Sequence, residues 1–423
     1  MTLTEILLPL IVVTSIALML VRPRGIREVY WVGGGAALLV ALRLITLRLA
    51  ARAIAEGSDV YLFLIGMMLL SELAREHGVF EWLSAAAVRG ARGSCLLLFT
   101  LVYAAGTAVT IFMSNDATAV VLTPAILAAV RKAKVEPLPY LFACALIANA
   151  ASFVLPISNP ANLVVFHKGM PTLGHWLASF AVPSAVSIVS TYAAMRWIFR
   201  KDLRCTIEHE VEAKNLTTDG KLVLGGLAGM VVVLLAASAL GRDLGLPTCL
   251  AALAITASVS MKAKSNPLRL AREISWETIA LVAGLFILVD AVESVGALSL
   301  TQAWLAWAER LPSGAGALVV SFAVGVANNL VNNLPLGLIA GGTLEAAHVQ
   351  GLMPNAVLIG VDLGPNLSVT GSLATILWLL ALRREKLHVG FWSFLKVGVV
   401  VMPIALLLSV GAAILMRMLL ANS

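Results

Sequence analysis

Gly360-Val-Asp-Leu-Gly-Pro-Asn-Leu-Ser-Val-Thr-Gly-Ser-Leu-Ala-Thr-Ile-Leu-Trp378 interrupts otherwise apolar sequence. It carries one carboxylate (Asp362), three glycines, a proline and a cluster of small hydroxyl and amide side chains. A helix crossing lipid has no use for this composition. Backbone broken at membrane depth has to be buried in protein or to line a water-filled cavity, and an ionisable group there points to function. The stretch therefore reads as one wall of a substrate site.

The surrounding chain supports a membrane setting. Of its 423 residues 60% are hydrophobic and 13% charged, against about 25% charged in a soluble domain. Long apolar runs recur from end to end, which predicts an all-α polytopic membrane protein. The alternating segments of a β-barrel are absent from the sequence. The net charge of +7 does not imply nucleic acid. The basic residues sit in short groups between apolar runs (Arg22 to Arg27, Arg131 to Lys134, Arg196 to Arg204, Lys262 to Arg272, Arg383 to Lys386), the pattern of loops that flank a membrane. The first apolar run, Ile6 to Val21, has neither a basic stretch before it nor a small-residue cleavage site after it, and reads as a retained helix. The four cysteines (Cys95, Cys144, Cys205, Cys249) lack metal-ligand spacing and are expected as free packing residues rather than disulfides. No metal site, cofactor motif or nucleophile–base pair is visible, so the chain is not expected to be an enzyme.

In order, residues 1–55 read as N-terminal scaffold helices. A first unit, 56–200, holds short polar-broken segments near 114–130 and a broken helix near 149–166. A connecting loop of both charge signs, 201–221, is expected on the cytoplasmic side. Linking helices occupy 222–275. A second unit, 276–423, holds a broken region near 328–347 and another near 360–382. About ten to twelve membrane elements are expected, several of them half-length.

The two units resemble each other. Leu64-Ile-Gly-Met-Met-Leu-Leu-Ser-Glu72 matches Val282-Ala-Gly-Leu-Phe-Ile-Leu-Val-Asp290, with Gly66 on Gly284 and Glu72 on Asp290. At the same offset Ser114-Asn115 falls on Asn332-Asn333, and the break Leu155 to Asn162 falls near Leu367 to Ala374 after a small slip. Paired interruptions in two halves are the best sequence pointer to a secondary-transporter site.

At these motifs the chain resembles the ion transporter superfamily, and within it the arsenite permeases, or arsenical pump membrane proteins. The resemblance rests on Ser114-Asn-Asp-Ala-Thr-Ala-Val-Val-Leu-Thr-Pro124, Asn332-Asn-Leu-Pro335 and above all Asp362 to Trp378, and it covers residue 55 onward. It implies two inverted repeats, each with a re-entrant hairpin and a broken helix, working as a transport unit against a scaffold. It also implies export of arsenite and antimonite across the inner membrane, driven by proton entry, and in some members association with a separate arsenite-stimulated ATPase.

The residues suit a small neutral solute. Arsenous acid and antimonous acid need hydrogen-bond donors and acceptors rather than a counter-charge. Candidate substrate contacts are Asn115, Asn159, Asn162, Asn332, Asn333, Asn366, Thr370 and Ser372, and no Arg or Lys falls in these breaks. Exchange with protons needs a carboxylate that can be neutralised. Asp362 and Asp116 are the candidates, each with a structural alternative as a cap on a half-helix. Trp176, Trp276, Trp378 and Trp392 are expected as interface anchors or packing, and the six histidines, His209 among them, as surface or interfacial groups. Two other functions stay open: a sodium–proton antiporter or sodium-coupled anion carrier of the same superfamily, and the membrane channel of an ATP-driven pump.

Overall fold

The computed structural model describes residues 3–167, 169–207, 215–263, 266–296, 298–312 and 314–421. His209 and part of the 201–221 connecting loop lie outside the described residues. The chain is all-helical, and among the described residues the only extended pairing is one bridge between Ser94 and Thr206.

Helices α1 (Leu3–Val21) and α2 (Glu28–Ala41) pack as neighbours. The second apolar run extends in sequence from Val29 to Leu47. Within it α2 stops at Leu42, and a separate strongly amphipathic helix, α3 (Leu47–Glu56), begins behind a Thr46 N-cap that accepts from Leu49 N. The chain bends by 48° into α4 (Ser58–Glu76). The first unit continues through α5 (Val79–Gly90), α6 (Cys95–Phe112), α7 (Asn115–Ala117) leading through a π-turn into α8 (Thr123–Lys132), α9 (Leu138–Ala150), the six-residue α10 (Pro160–Val165) and α11 (Leu173–Ile198). Linking helices α12 (Thr218–Ala239) and α13 (Gly245–Ala263) follow.

The second half of the chain has a similar order of elements. Short α14 (Pro267–Glu273) bends by 49° into α15 (Trp276–Ser294). Then come α16 (Leu298–Glu309), α17 (Ala315–Val331), α18 (Asn333–Ala346), α19 (Leu352–Leu363), half-length α20 (Leu373–Arg384) and the long α21 (Phe391–Ala421), which packs along α11. The matched glycines of the two halves do the same work. A Cβ on Gly66 would stand 2.9 Å from the Thr248 backbone of α13, and one on Gly284 2.8 Å from Val32 of α2. Small residues let helix backbones approach closely.

Among the described residues five helices are long and apolar enough to cross a membrane, or up to seven if each bent pair is one span, and four shorter apolar helices accompany them. Their ends gather in two layers. Arg27 pairs with Glu277. Arg22, Glu273, Trp276 and Arg384 line one cavity, Arg131 donates to Glu385 at 2.9 Å, and the Tyr140 hydroxyl donates to Cys95 O at 3.2 Å. These contacts, with the backbone bond from Cys95 N to Cys205 O at 3.4 Å, bring the Arg22, Arg131, Arg200 and Arg383 groups to one face. On the other face Gly245 N donates to Asp59, and Phe166, His167, Glu345, His348 and Gln350 line a cavity.

Within the expected broken region near 328–347 the helix ends only at Asn332, because α17 runs helical to Val331. Asn328 Nδ2 instead donates to Gly360 O at 2.9 Å and Val361 O at 2.8 Å, so it holds α19 without breaking its own helix. The cysteines are not all free. Cys95 and Cys205 form a disulfide, with Cα atoms 5.5 Å apart. The pair lies at the rim, at the start of α6, and a separation of 110 residues leaves no spacing to read. Cys144 and Cys249 are free and buried. Trp176 and Trp378 are buried, Trp378 between Phe142 and Phe394 with ring centroids 5.8 and 5.9 Å away, whereas Trp276 and Trp392 are exposed.

Candidate functional site

Each polar break becomes the start of a helix, because its side chains cap it. Ser114 Oγ accepts from Ala117 N at 3.2 Å and begins α7. Asn332 has φ +79° with ψ +151°, a backbone conformation that residues other than glycine rarely adopt. Its Oδ1 accepts from Leu334 N at 3.4 Å and begins α18. Asn159 Oδ1 accepts from Ala161 N at 3.0 Å at the start of α10, and Ser372 Oγ accepts from Thr375 N at 3.1 Å at the start of α20.

The four starts converge. Asn115, Asp116, Asn159, Pro160, Asn333, Leu334, Leu373 and Ala374 line one small cavity, closed by Leu64 of α4 and Thr278 of α15. Its volume is about 10 Å³, room for about one water, so this conformation is tightly closed. Asp116 is half-buried and is the one charged residue in the lining. Asn115 Oδ1 and Asn333 Oδ1 are buried there without a protein hydrogen-bond partner.

Asp362 lies one layer behind, in the last turn of α19, fully buried. Asn159 Nδ2 donates to its Oδ1 at 2.7 Å, while its Oδ2 has no hydrogen-bond partner. Asn159 thus touches the cavity, caps α10 and holds Asp362. Beside it Asn149 Nδ2 donates to Asn366 Oδ1 at 2.9 Å, and Asn366 Nδ2 to Leu146 O at 3.1 Å. These bonds join the breaks of the two units.

The sequence candidates therefore divide. Asn115, Asn159, Asn333 and Asp116 come together on the cavity. Asn162, Asn332, Asn366, Thr370 and Ser372 are committed to the breaks themselves. Asn162 donates to Ser152 O at 2.9 Å, Asn332 to Thr370 O at 3.3 Å, and Thr370 to Asn329 O at 2.8 Å. Sequence reasoning passed over Thr278, beside Glu277 in the first turn of α15, and Asn149, the one amide of α9, because neither lies in a motif. Glu72, matched to Asp290 in the repeat, is paired with Arg75 one turn on.

The glycines of the opening stretch let α19 seat against α17. A Cβ on Gly364 would stand 2.5 Å from both Asn328 Nδ2 and Gly325 O, and one on Gly360 2.6 Å from Ser321 O.

Residues 6–364 match the family model described as a citrate transporter, CitMHS. The chain is similar to the arsenical pump membrane protein of Yersinia enterocolitica, 27% identical over 376 residues, covering 84% of this chain and 85% of that one. It is equally similar to an Escherichia coli protein of the same name, 27% identical over 372 residues with the same coverage. Among solved structures it resembles the YdaH transporter of Alcanivorax borkumensis, with a TM-score of 0.59 at 15% identity over 88% of this chain and 87% of that one, a likeness of fold.

Proposed function

This chain belongs to the citrate transporter (CitMHS) family, and we propose that within it the protein exports arsenite and antimonite as neutral acids in exchange for protons. It is a membrane transporter of the multi-pass, inner-membrane kind. The observation that carries the substrate reading is the lining of the convergent cavity. Amides, a hydroxyl and a single carboxylate face it, and no Arg or Lys lines it among the described residues. A citrate anion needs cationic groups or a bound cation there. Arsenous acid needs only donors and acceptors, and Asn115 and Asn333 keep acceptor oxygens uncommitted. The names of the Yersinia and Escherichia relatives support the same choice.

The mechanism we favour is alternating access between two inverted repeats, with hairpins at α6–α8 and α17–α18 and broken helices at α9–α10 and α19–α20. Support comes from the doubled helix series, its matched bends and its four capped helix starts. The cavity of about 10 Å³ has to widen for cargo to enter, which requires the hairpin tips to part from the broken helices. Cargo then competes with protonation of Asp362, with Asp116 as second carrier. When Asp362 takes a proton its hydrogen bond from Asn159 changes from charge-assisted to neutral, and the joint between the breaks loosens. An arsenite-stimulated ATPase, if one docks, adds to this cycle and is not needed for it.

The test is arsenite uptake into everted vesicles under an imposed pH gradient and then an imposed sodium gradient, with citrate as a second cargo. Uptake driven by protons and indifferent to sodium is expected. Sodium dependence without arsenite movement would move the protein to the sodium-coupled readings, and citrate uptake would overturn the argument from the lining. Proton exchange at the normal rate in Asp362→Asn would remove Asp362 from the mechanism.

A further inference from the structure

We infer that Cys95 and Cys205 form a reversible thiol–disulfide site on the cytoplasmic face, open to exchange with small thiols of the cell. Three observations lead there, none of which uses the transport reading.

The first is the charge on the two faces. The Arg22–Arg27, Arg131–Lys134, Arg200–Arg204 and Arg383–Lys386 groups lie on the face that holds the cysteine pair, by the contacts already given. By its contacts the opposite face has Arg242, three residues before the Gly245 that donates to Asp59, and Arg417, which packs against Gly351 beside Gln350. Basic residues in short loops mark the cytoplasmic side, so the disulfide faces the reducing compartment, where disulfides are rare and are usually transient, catalytic or redox-sensing.

The second is that the backbone holds the two cysteines together without the covalent bond. Ser94 and Thr206 form an antiparallel bridge. Ile207 N donates to Gly93 O at 2.8 Å and Cys95 N to Cys205 O at 3.4 Å. The dithiol and the disulfide therefore fit one backbone arrangement, as reversible exchange requires.

The third is access. Cys205 is exposed and Cys95 fully buried, so an incoming thiolate reaches one sulfur only. It attacks Cys205 Sγ, the S–S bond breaks, and Cys95 leaves as a thiolate that takes up a proton. A second small thiol attacks the mixed disulfide at its own sulfur and frees the Cys205 thiol. The net change is two small thiols oxidised to their disulfide and the protein disulfide reduced to two thiols, a two-electron exchange that runs backward when the small disulfide is in excess. Oxidation fastens residues 201–207, at the exit of α11, to the start of α6, whose far end carries the Ser114 break. Reduction leaves the ladder hydrogen bonds alone to hold them.

The experiment is thiol trapping in intact cells. Acid quenching followed by denaturation and a polymer-linked maleimide counts free thiols as gel shifts. All four cysteines are expected to react in unstressed cells, and two after a thiol-specific oxidant, with recovery of four when the oxidant is removed. Cys205→Ser should be indifferent to the oxidant. Two reactive thiols in unstressed cells would make the bond constitutive and overturn the proposal, as would four after oxidation. Separately, Cys95→Ser leaves Cys205 as an exposed thiol. A membrane-impermeant maleimide should label it in inside-out vesicles, and labelling from right-side-out vesicles alone would overturn the assigned face.

Discussion

Asn159 and Asp362 should be coupled energetically, and by an amount that the structure fixes. Asn159→Ala removes two interactions. One is the N-cap of α10, Oδ1 to Ala161 N at 3.0 Å, a loss of about 1 kcal/mol. The other is the donor to Asp362 at 2.7 Å, a bond to a charged group worth about 1.5–3 kcal/mol. In an Asp362→Asn background the second bond is neutral and worth about 0.5–1.5 kcal/mol, while the cap is unchanged. The cap cancels in a double-mutant cycle, so at the midpoints of the two ranges the coupling should be about 1.2 kcal/mol. Denaturant titration of the four purified proteins in detergent at pH 8 measures it. The same cycle run at progressively lower pH should show the coupling fade as Asp362 takes its proton. Additivity within about 0.5 kcal/mol at pH 8 would mean that Asp362 is not resting ionised against Asn159, and the proton-competition mechanism would fall with it.

Other outcomes follow from the same coordinates. Gly364→Ala would put a methyl 2.5 Å from Gly325 O and Asn328 Nδ2. Overpacking of this kind costs about 1–3 kcal/mol and should show as a lower denaturation midpoint and weaker transport together. Thr278→Val removes a hydroxyl from the cavity wall; if that hydroxyl bonds cargo, the Michaelis constant for arsenite should rise several-fold, about 0.5–1.5 kcal/mol, with the midpoint little changed. Arg131→Ala breaks an exposed pair with Glu385 at 2.9 Å and should cost less than about 1 kcal/mol, an effect that added salt erases.

How much of this could be read from the chain depends on the kind of signal. The breaks at Ser114, Asn159, Asn332 and Ser372 were legible because a lipid-facing helix excludes such residues, so clusters of them stand out against the apolar runs. Which members face the cavity was not legible. Asn162 and Asn159 sit three residues apart in one motif, yet one closes the break onto Ser152 O while the other faces the cavity, a choice made by tertiary packing. Thr278 and Asn149 gave no warning, since a polar residue in a helix's first turn or a lone amide in an apolar helix is ordinary. Short α3, α14 and α16 leave no full-length apolar run in the sequence, because they are bent or brief.

The convergence of four helix starts has an electrical consequence. Each of the longer helices beginning at the cavity presents to it the equivalent of roughly half a positive charge from its unpaired N–H groups, and the short α10 adds to them. The cavity is therefore electropositive before any side chain is counted, and the two nearby carboxylates bring its sum close to zero when both are ionised. A proton landing on either carboxylate then does more than alter one bond. It turns a region that is neutral toward its guest into one that attracts anions. Small anions should therefore compete with arsenite more strongly as the pH falls, and the selectivity of the site becomes a property of its protonation state as much as of its shape.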